Sequence, residues 1–138
     1  MTTPATRHRG NAIESRACTI IARMTAINGN GAVSPVPSEG RLIVASDVAS
    51  ISVSVFDADS VQIGSSLMPS IVSTIFDTLQ TSETWSLLNG GGNFRYTIPA
   101  SHFPTGSVQQ GIEATVTLND GSKATGLWFV DVLDISGS

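Results

Sequence analysis

Apolar residues in this chain recur at every second position, in short runs that are rich in β-branched side chains. The clearest run covers residues 50–57, where Ile51, Val53 and Val55 alternate with serines. Residues 93–99 repeat the alternation with aromatic and aliphatic side chains. Because successive side chains of a strand point to opposite faces, each run predicts a β-strand with one buried face.

Turn-forming residues divide these runs at intervals of about 8–12 residues, a spacing typical of a sandwich. Between the last two runs, for example, Asn119-Asp120-Gly121 is a tight hairpin signal. We predict an all-β, immunoglobulin-like β-sandwich of about seven to eight strands. The predicted strands cover residues 17–27, 41–45, 50–57, 61–63, 71–77, 93–99, 111–118 and 125–135.

Two details of this prediction remain open. Residues 70–79 fit one face of a short helix as well as a β-branched strand, and the neighbouring strands favour a strand over 71–77. The second open detail is the register of the last hairpin. Apolar residues occupy both the odd and the even positions of the final strand, so either set could face inward. Ile112 and its alternate neighbours face one of two sets: Leu127 and Phe129, or Trp128, Val130 and Val132.

The composition is poor in charge and rich in hydroxyl groups. Charged residues make up 13% of the chain, which also contains 19 Ser and 14 Thr; a usual charged share is ~25%. A surface of this kind can be buried against a partner at a lower desolvation cost than a charged one. It equally fits a β protein that uses Ser and Thr on its solvent faces. Both interpretations stay open.

The first residues of the chain differ from the rest in pattern and in charge. Residues 1–16 show no hydrophobic period, and we interpret them as an extended N-terminal arm, followed by a β-sandwich domain at 17–138. Ordering such an arm costs about 1–2 kcal/mol per residue in backbone entropy, so we expect a neighbouring protein to hold it. Residues 1–25 carry four arginines against one glutamate, whereas the remainder carries three cations against ten carboxylates.

This asymmetry suggests that the basic arm docks on an acidic surface, including that of a second copy. Arg7, Arg9 and Arg16 are therefore the predicted protein-interface residues of the arm. An ordinary polar tail is the alternative interpretation. The arm has no aromatic residue for base stacking, which argues against direct nucleic-acid binding.

Few residues are suited to catalysis or metal binding. Cys18 is the only cysteine and stands in an apolar run, which favours a small buried hydrophobe over a nucleophile. His102 is a loop histidine without a carboxylate or nucleophile nearby in sequence. Asp57 and Asp59 offer oxygen ligands but lack the spacing of a calcium loop. We predict a protein that is not an enzyme, with no catalytic residues, no cofactor and no metal.

Three large aromatic side chains could form a sugar-binding platform if they shared one exposed face. They are Trp85, Tyr96 and Trp128. In a chain with few aromatic residues, core or interface positions are the favoured interpretation. No segment approaches the ~20 continuous apolar residues that span a bilayer, and residues 1–10 lack the apolar stretch of a signal peptide. We expect neither a membrane partner nor export.

A sequence pattern extends over roughly residues 50–135. Its parts are IFDTLQT at 75–81, Trp85, GNFRYTIP at 92–99, FP at 103–104 and EATVTL at 113–118. This pattern resembles a family of small immunoglobulin-like proteins found in tailed phages and bacteria. The chain departs from it at Gly91-Gly92, where a tyrosine precedes Asn-Phe in the family, and at residues 109–111, where Tyr-Arg is usual. The family has no established activity, so the resemblance implies a virion-associated structural role.

The leading functional hypothesis is accordingly a phage virion structural protein, specifically a capsid cement or decoration protein that stabilises the head. Its expected partners are the major capsid protein or neighbouring copies in a homo-oligomer, within a virion assembled in the host cytoplasm. A neck, tail or baseplate component is the first alternative. A carbohydrate-binding immunoglobulin-like module is the second.

Overall fold

The alternating runs become the strands of two facing sheets in a computed structural model, which describes residues 6–26, 41–82, 85 and 91–134. The described strands are β1 (Thr6–Ile13), β2 (Cys18–Ala22), β3 (Thr25–Ala26), β4 (Arg41–Leu42), β5 (Val48–Phe56), β6 (Ile75–Gln80), β7 (Gly92–Ile98), β8 (Val108–Leu118) and β9 (Lys123–Leu133). One short helix, α1 (Ile71–Thr74), and 3-10 turns at Ala45–Asp47 and Ala100–His102 lie between them. The predicted all-β sandwich is confirmed.

The strands form a four-stranded sheet in the order β1-β9-β8-β5 and a three-stranded sheet in the order β2-β7-β6, with β3 and β4 as a separate pair. The chain changes sheets after β1, β5 and β7, so strands adjacent in sequence pack face to face as in immunoglobulin-like sandwiches. Pairing is antiparallel throughout the two sheets except for β1, which runs parallel to β9. Within the described chain, no helix is long and apolar enough to cross a bilayer.

The core lies between the inner faces of the two sheets and resolves the register of the last hairpin. Trp128, Val130 and Val132 are buried, so this set faces inward, and Leu127 and Phe129 lie on the outer face. The other buried strand residues include Ile51, Val53, Val55, Ile112, Ala114, Val116, Phe94 and Ile98. Burial of each large apolar side chain contributes roughly 1.5–3 kcal/mol, which makes this layer the main source of stability.

The N-terminal segment is part of the sandwich, which corrects the arm prediction. Residues 6–13 form β1, and their backbone pairs with β9 from Thr6 opposite Gly126 to Ile13 opposite Leu133. Ala12 is buried in the core. The folded domain therefore includes residues from at least Thr6 onward rather than starting at residue 17. Its own sheet orders this segment, so the argument that an outside protein must hold it no longer applies.

Residues 70–79 differ from the predicted strand over 71–77. The structure has the single helical turn α1 at Ile71–Thr74, and β6 begins only at Ile75. The turn directs Ile71 against the core and buries Thr74, whereas Val72 is 83% exposed. A continuous strand cannot bury positions 71, 74 and 75 together, because its side chains alternate between faces.

A candidate protein-binding face

Residues of the sequence pattern over 75–118 have structural positions in the sandwich. The side chain of Asn93 is fully buried and bonds to two separate segments. Its Nδ2 donates to the carbonyls of Met24 (3.1 Å) and Ile43 (2.7 Å), while its Oδ1 accepts from the Met24 amide at 2.7 Å. Asn93 thus joins the start of β7 to the chain on either side of the β3–β4 pair.

The neighbours of Asn93 in the pattern complete two aromatic clusters. Phe94 is buried and stacks on Trp128, with ring centroids 6.1 Å apart, between the two sheets. On the outer face of the three-stranded sheet, the Arg95 guanidinium lies 5.4 Å from the Phe76 ring centroid and 5.6 Å from that of Trp85. These contacts give the pattern a role in packing, since each cation–π or stacking pair contributes about 0.5–1.5 kcal/mol.

Of the predicted interface arginines, Arg7 and Arg9 lie on β1 and Arg16 lies after it. In the register of β1 and β9, Arg7 is opposite Leu127 and Arg9 is opposite Phe129. Arg16 is exposed in the turn after β1, where its amide donates to the carbonyl of Ile13. At about 3.3 Å per residue, β1 is roughly 26 Å long, with Arg7 near its start and Arg16 in the turn beyond its end. The three positions therefore do not form one contiguous arm.

The three rings considered for a sugar platform do not share an exposed face. Trp128 lies in the core and Trp85 on the outer side of the three-stranded sheet, with exposed fractions of 5% and 4%. Tyr96 is half-buried against the core, and burial raises the pKa of its phenol. The geometry favours packing roles for all three.

The remaining chemical candidates are Cys18, Asp57 and His102. Cys18 packs against the core, and burial raises the pKa of its thiol, which disfavours the nucleophilic thiolate. Asp57 caps its own turn, since Oδ1 accepts from the amides of Asp59 and Val61. The buried His102 ring has no hydrogen-bond partner within the described residues. In the same residues, no group of three or more His, Cys, Asp or Glu side chains could hold a metal ion.

The most distinctive surface lies on the outer face of the four-stranded sheet. There Gly111 of β8 pairs with Phe56 on one side and with Phe129 on the other. Both phenylalanines are half-buried, and a Cβ added at Gly111 would meet nothing within 4 Å. The missing side chain therefore leaves a groove of about 340 Å³ between the two rings. This volume is at the lower end of the usual range for binding pockets, about 300–1,000 Å³.

The rim of this groove is polar and acidic. Asp57 and Glu113 line it together with Gln109, and the half-buried Leu127 continues its apolar wall. Glu113 is exposed. Neither carboxylate has an ion-pair partner in the part of the chain that the structure describes. The groove thus combines apolar walls with carboxylates on its rim.

Most of the other outward positions of β5, β8 and β9 carry small hydroxyl side chains: Ser50, Ser52, Ser54, Thr115, Thr117 and Thr125. The exposed Lys123 and Asp131 lie on the same face, near the two ends of β9. The hydroxyl groups carry no charge, so a protein could cover them at a modest desolvation cost. We call the groove and this hydroxyl-rich area together the outer face.

Sequence reasoning identified the strands of this face but not the groove. Apolar residues on both faces of β9 could have indicated the groove, because a strand with two apolar faces has apolar surface to bury on each side. The alignment of Gly111 between two phenylalanines depends on pairing across three strands. In comparisons with known proteins, no family model matches this chain, and no curated protein matches it either.

Proposed function

We propose that this chain is a phage virion structural protein, and specifically a capsid cement or decoration protein that binds neighbouring shell proteins. The outer face is the observation that carries the proposal. It joins half-buried aromatic residues to a hydroxyl-rich surface, the combination expected of a protein-binding interface with a desolvated centre. The resemblance to small phage proteins supplies the virion context.

The size of the outer face suits a weak contact that is repeated many times. Three strands at a spacing of about 4.8 Å and about 30 Å long present roughly 430 Å². Counting both partners, the buried area would be roughly 860 Å², below the ~1,000 Å² expected of a specific interface that acts alone. Repeated attachment around a shell lattice lets contacts of this size act together, which suits a head-stabilising protein.

The proposal is tested on particles purified from cells in which the phage encoding this chain replicates. Quantitative mass spectrometry should detect the chain at a copy number comparable to that of the major shell protein. Particles assembled without the chain should release their DNA at a lower temperature, because they lack the added interfaces. The chain's absence from purified particles would contradict a virion role, and a copy number far below that of the shell protein would indicate a neck, tail or baseplate component instead.

A further inference from the structure

We propose that β1 is an exchangeable strand, which leaves its own sheet and pairs in the same way with β9 of a second copy of this chain. Such exchange would join neighbouring copies on a shell, and as a mechanism of head stabilisation it rests on the proposed function. The exchange itself is a property of the isolated chain and can be measured without particles.

The backbone of β1 makes most of its contacts with the rest of the domain. It is an edge strand, and among the described residues β9 is its one strand partner. Of the β1 residues whose burial is described, 10–13, only Ala12 is buried. Gly10 shares the face of Ala12, yet a Cβ added there would meet nothing within 4 Å. Release of β1 therefore withdraws only one of these four residues from the core.

A second copy offers β1 the same partner that it leaves. The parallel pairing extends along the whole strand, from Thr6 opposite Gly126 to Ile13 opposite Leu133. In an exchanged dimer these backbone hydrogen bonds form again with the identical strand of the neighbour, so strand exchange is a low-cost route to a dimer. The balance between the closed and the exchanged form then depends on the hinge after β1 and on the protein concentration.

The hinge after β1 is short and strained. Residues 14–17 carry the chain from the four-stranded sheet to β2 in the other sheet. Within the hinge, Ser15 has a φ of 58°, a left-handed conformation. For a residue other than glycine, this conformation disfavours the closed form about tenfold. Short hinges under strain favour strand exchange, because an extended hinge releases the strain.

Two substitutions at Ser15 should shift this balance in opposite directions. Glycine adopts the left-handed conformation without strain, so Ser15→Gly should favour the closed form about tenfold per hinge and weaken a dimer, which has two hinges, about 100-fold. Ser15→Pro should favour the exchanged form, because proline cannot adopt a positive φ and holds the preceding Glu14 extended. It also lacks the amide that donates to the Phe103 carbonyl at 2.8 Å. Ser60→Gly is the matched control, since it relieves a φ of 67° in the turn after β5, outside the hinge.

The test detects pairing between β1 of one copy and β9 of another. Asn11 and Asp131 are exposed and lie opposite each other in the register of these strands. Full chains carrying either Asn11→Cys or Asp131→Cys, both in a Cys18→Ala background, are unfolded in urea, mixed, refolded at high concentration and oxidised with glutathione disulfide. A disulfide-linked heterodimer should form, because residues opposite each other on neighbouring strands are within disulfide range. Glu113→Cys replaces Asp131→Cys in the control mixture, since Glu113 is exposed on the same face but lies on β8.

The yield of heterodimer should fall with Ser15→Gly, rise with Ser15→Pro and stay unchanged with Ser60→Gly. A yield no greater than that of the Glu113→Cys mixture would overturn the proposed exchange, and so would equal yields from the two folded Ser15 variants. If Ser15→Pro does not fold, the comparison of Ser15→Gly with the unsubstituted hinge decides in its place. Each of these results leaves the virion role standing if the chain is found in purified particles, so the two proposals can fail separately.

Discussion

Replacing Asn93 with leucine should destabilise the protein strongly, although the two side chains are similar in size and shape. The substitution removes three hydrogen bonds that the buried amide makes to Met24 and Ile43. The Met24 carbonyl keeps a partner, because it also accepts from the Ile43 amide at 3.1 Å. The Met24 amide and the Ile43 carbonyl would be left in the interior without one.

The expected loss follows from those two orphaned groups. Leaving a buried backbone donor or acceptor unsatisfied costs about 1–3 kcal/mol. Two such groups therefore lower the free energy of unfolding by roughly 4 kcal/mol, a large fraction of the ~5–15 kcal/mol by which domains are stable. With a urea dependence of about 2 kcal/mol per molar, the unfolding midpoint should fall by about 2 M.

The assay is equilibrium urea unfolding followed by tryptophan fluorescence, since buried Trp128 contacts the adjacent Phe94. Thr97→Ala is a suitable control on the same strand. It removes an exposed hydroxyl bond to Thr19 and should change stability by no more than about 0.5 kcal/mol. A loss below about 1 kcal/mol for Asn93→Leu would refute the assignment of Asn93 as the residue that joins β7 to the β3–β4 region.

Two further predictions concern the last hairpin. A Cβ at Gly126 would lie 2.7 Å from Cη2 of the buried Trp128 ring. Gly126→Ala should therefore lower the free energy of unfolding, measured in urea melts, by about 1–3 kcal/mol. Gly111→Ala is the control and should not lower it, because the space at its Cβ is open. Hydrogen bonds from Ser122 hold the pKa of Asp120 below its ordinary value near 3.8. The carboxylate therefore stabilises the folded state above that pH, and the contribution disappears as the pH falls through the folded pKa. The difference in melting temperature between wild type and Asp120→Asn should therefore shrink on acidification. A difference that does not change with pH would contradict this.

Residues of the sequence pattern over 75–118 hold the sandwich together. Asn93 bonds across strands, Phe94 fills the core and Arg95 stacks on two rings. Asp77 of the same pattern accepts a hydrogen bond from the Ala45 amide. The contacts of these residues are packing contacts, and the candidate groove lies at other positions, such as Gly111.

Side-chain periodicity is a local property, so the strands that depend on it were predictable from the chain alone. The alternation of Ile51, Val53 and Val55 predicted both β5 and its buried face, and the Asn-Asp-Gly signal predicted the turn between β8 and β9. The same reasoning placed the apolar run around Cys18 in a strand. It required no knowledge of the strand's partners.

Features that depend on partners distant in sequence became visible only in the folded protein. Residues 6–13 show no hydrophobic period, and they form β1 because the edge of β9, at the other end of the chain, is available for parallel pairing. The groove exists because pairing aligns Gly111 with a phenylalanine on each side. Register between strands is a non-local property that no single run contains. The strands could therefore be predicted, whereas the candidate binding site emerged only from the way they pair.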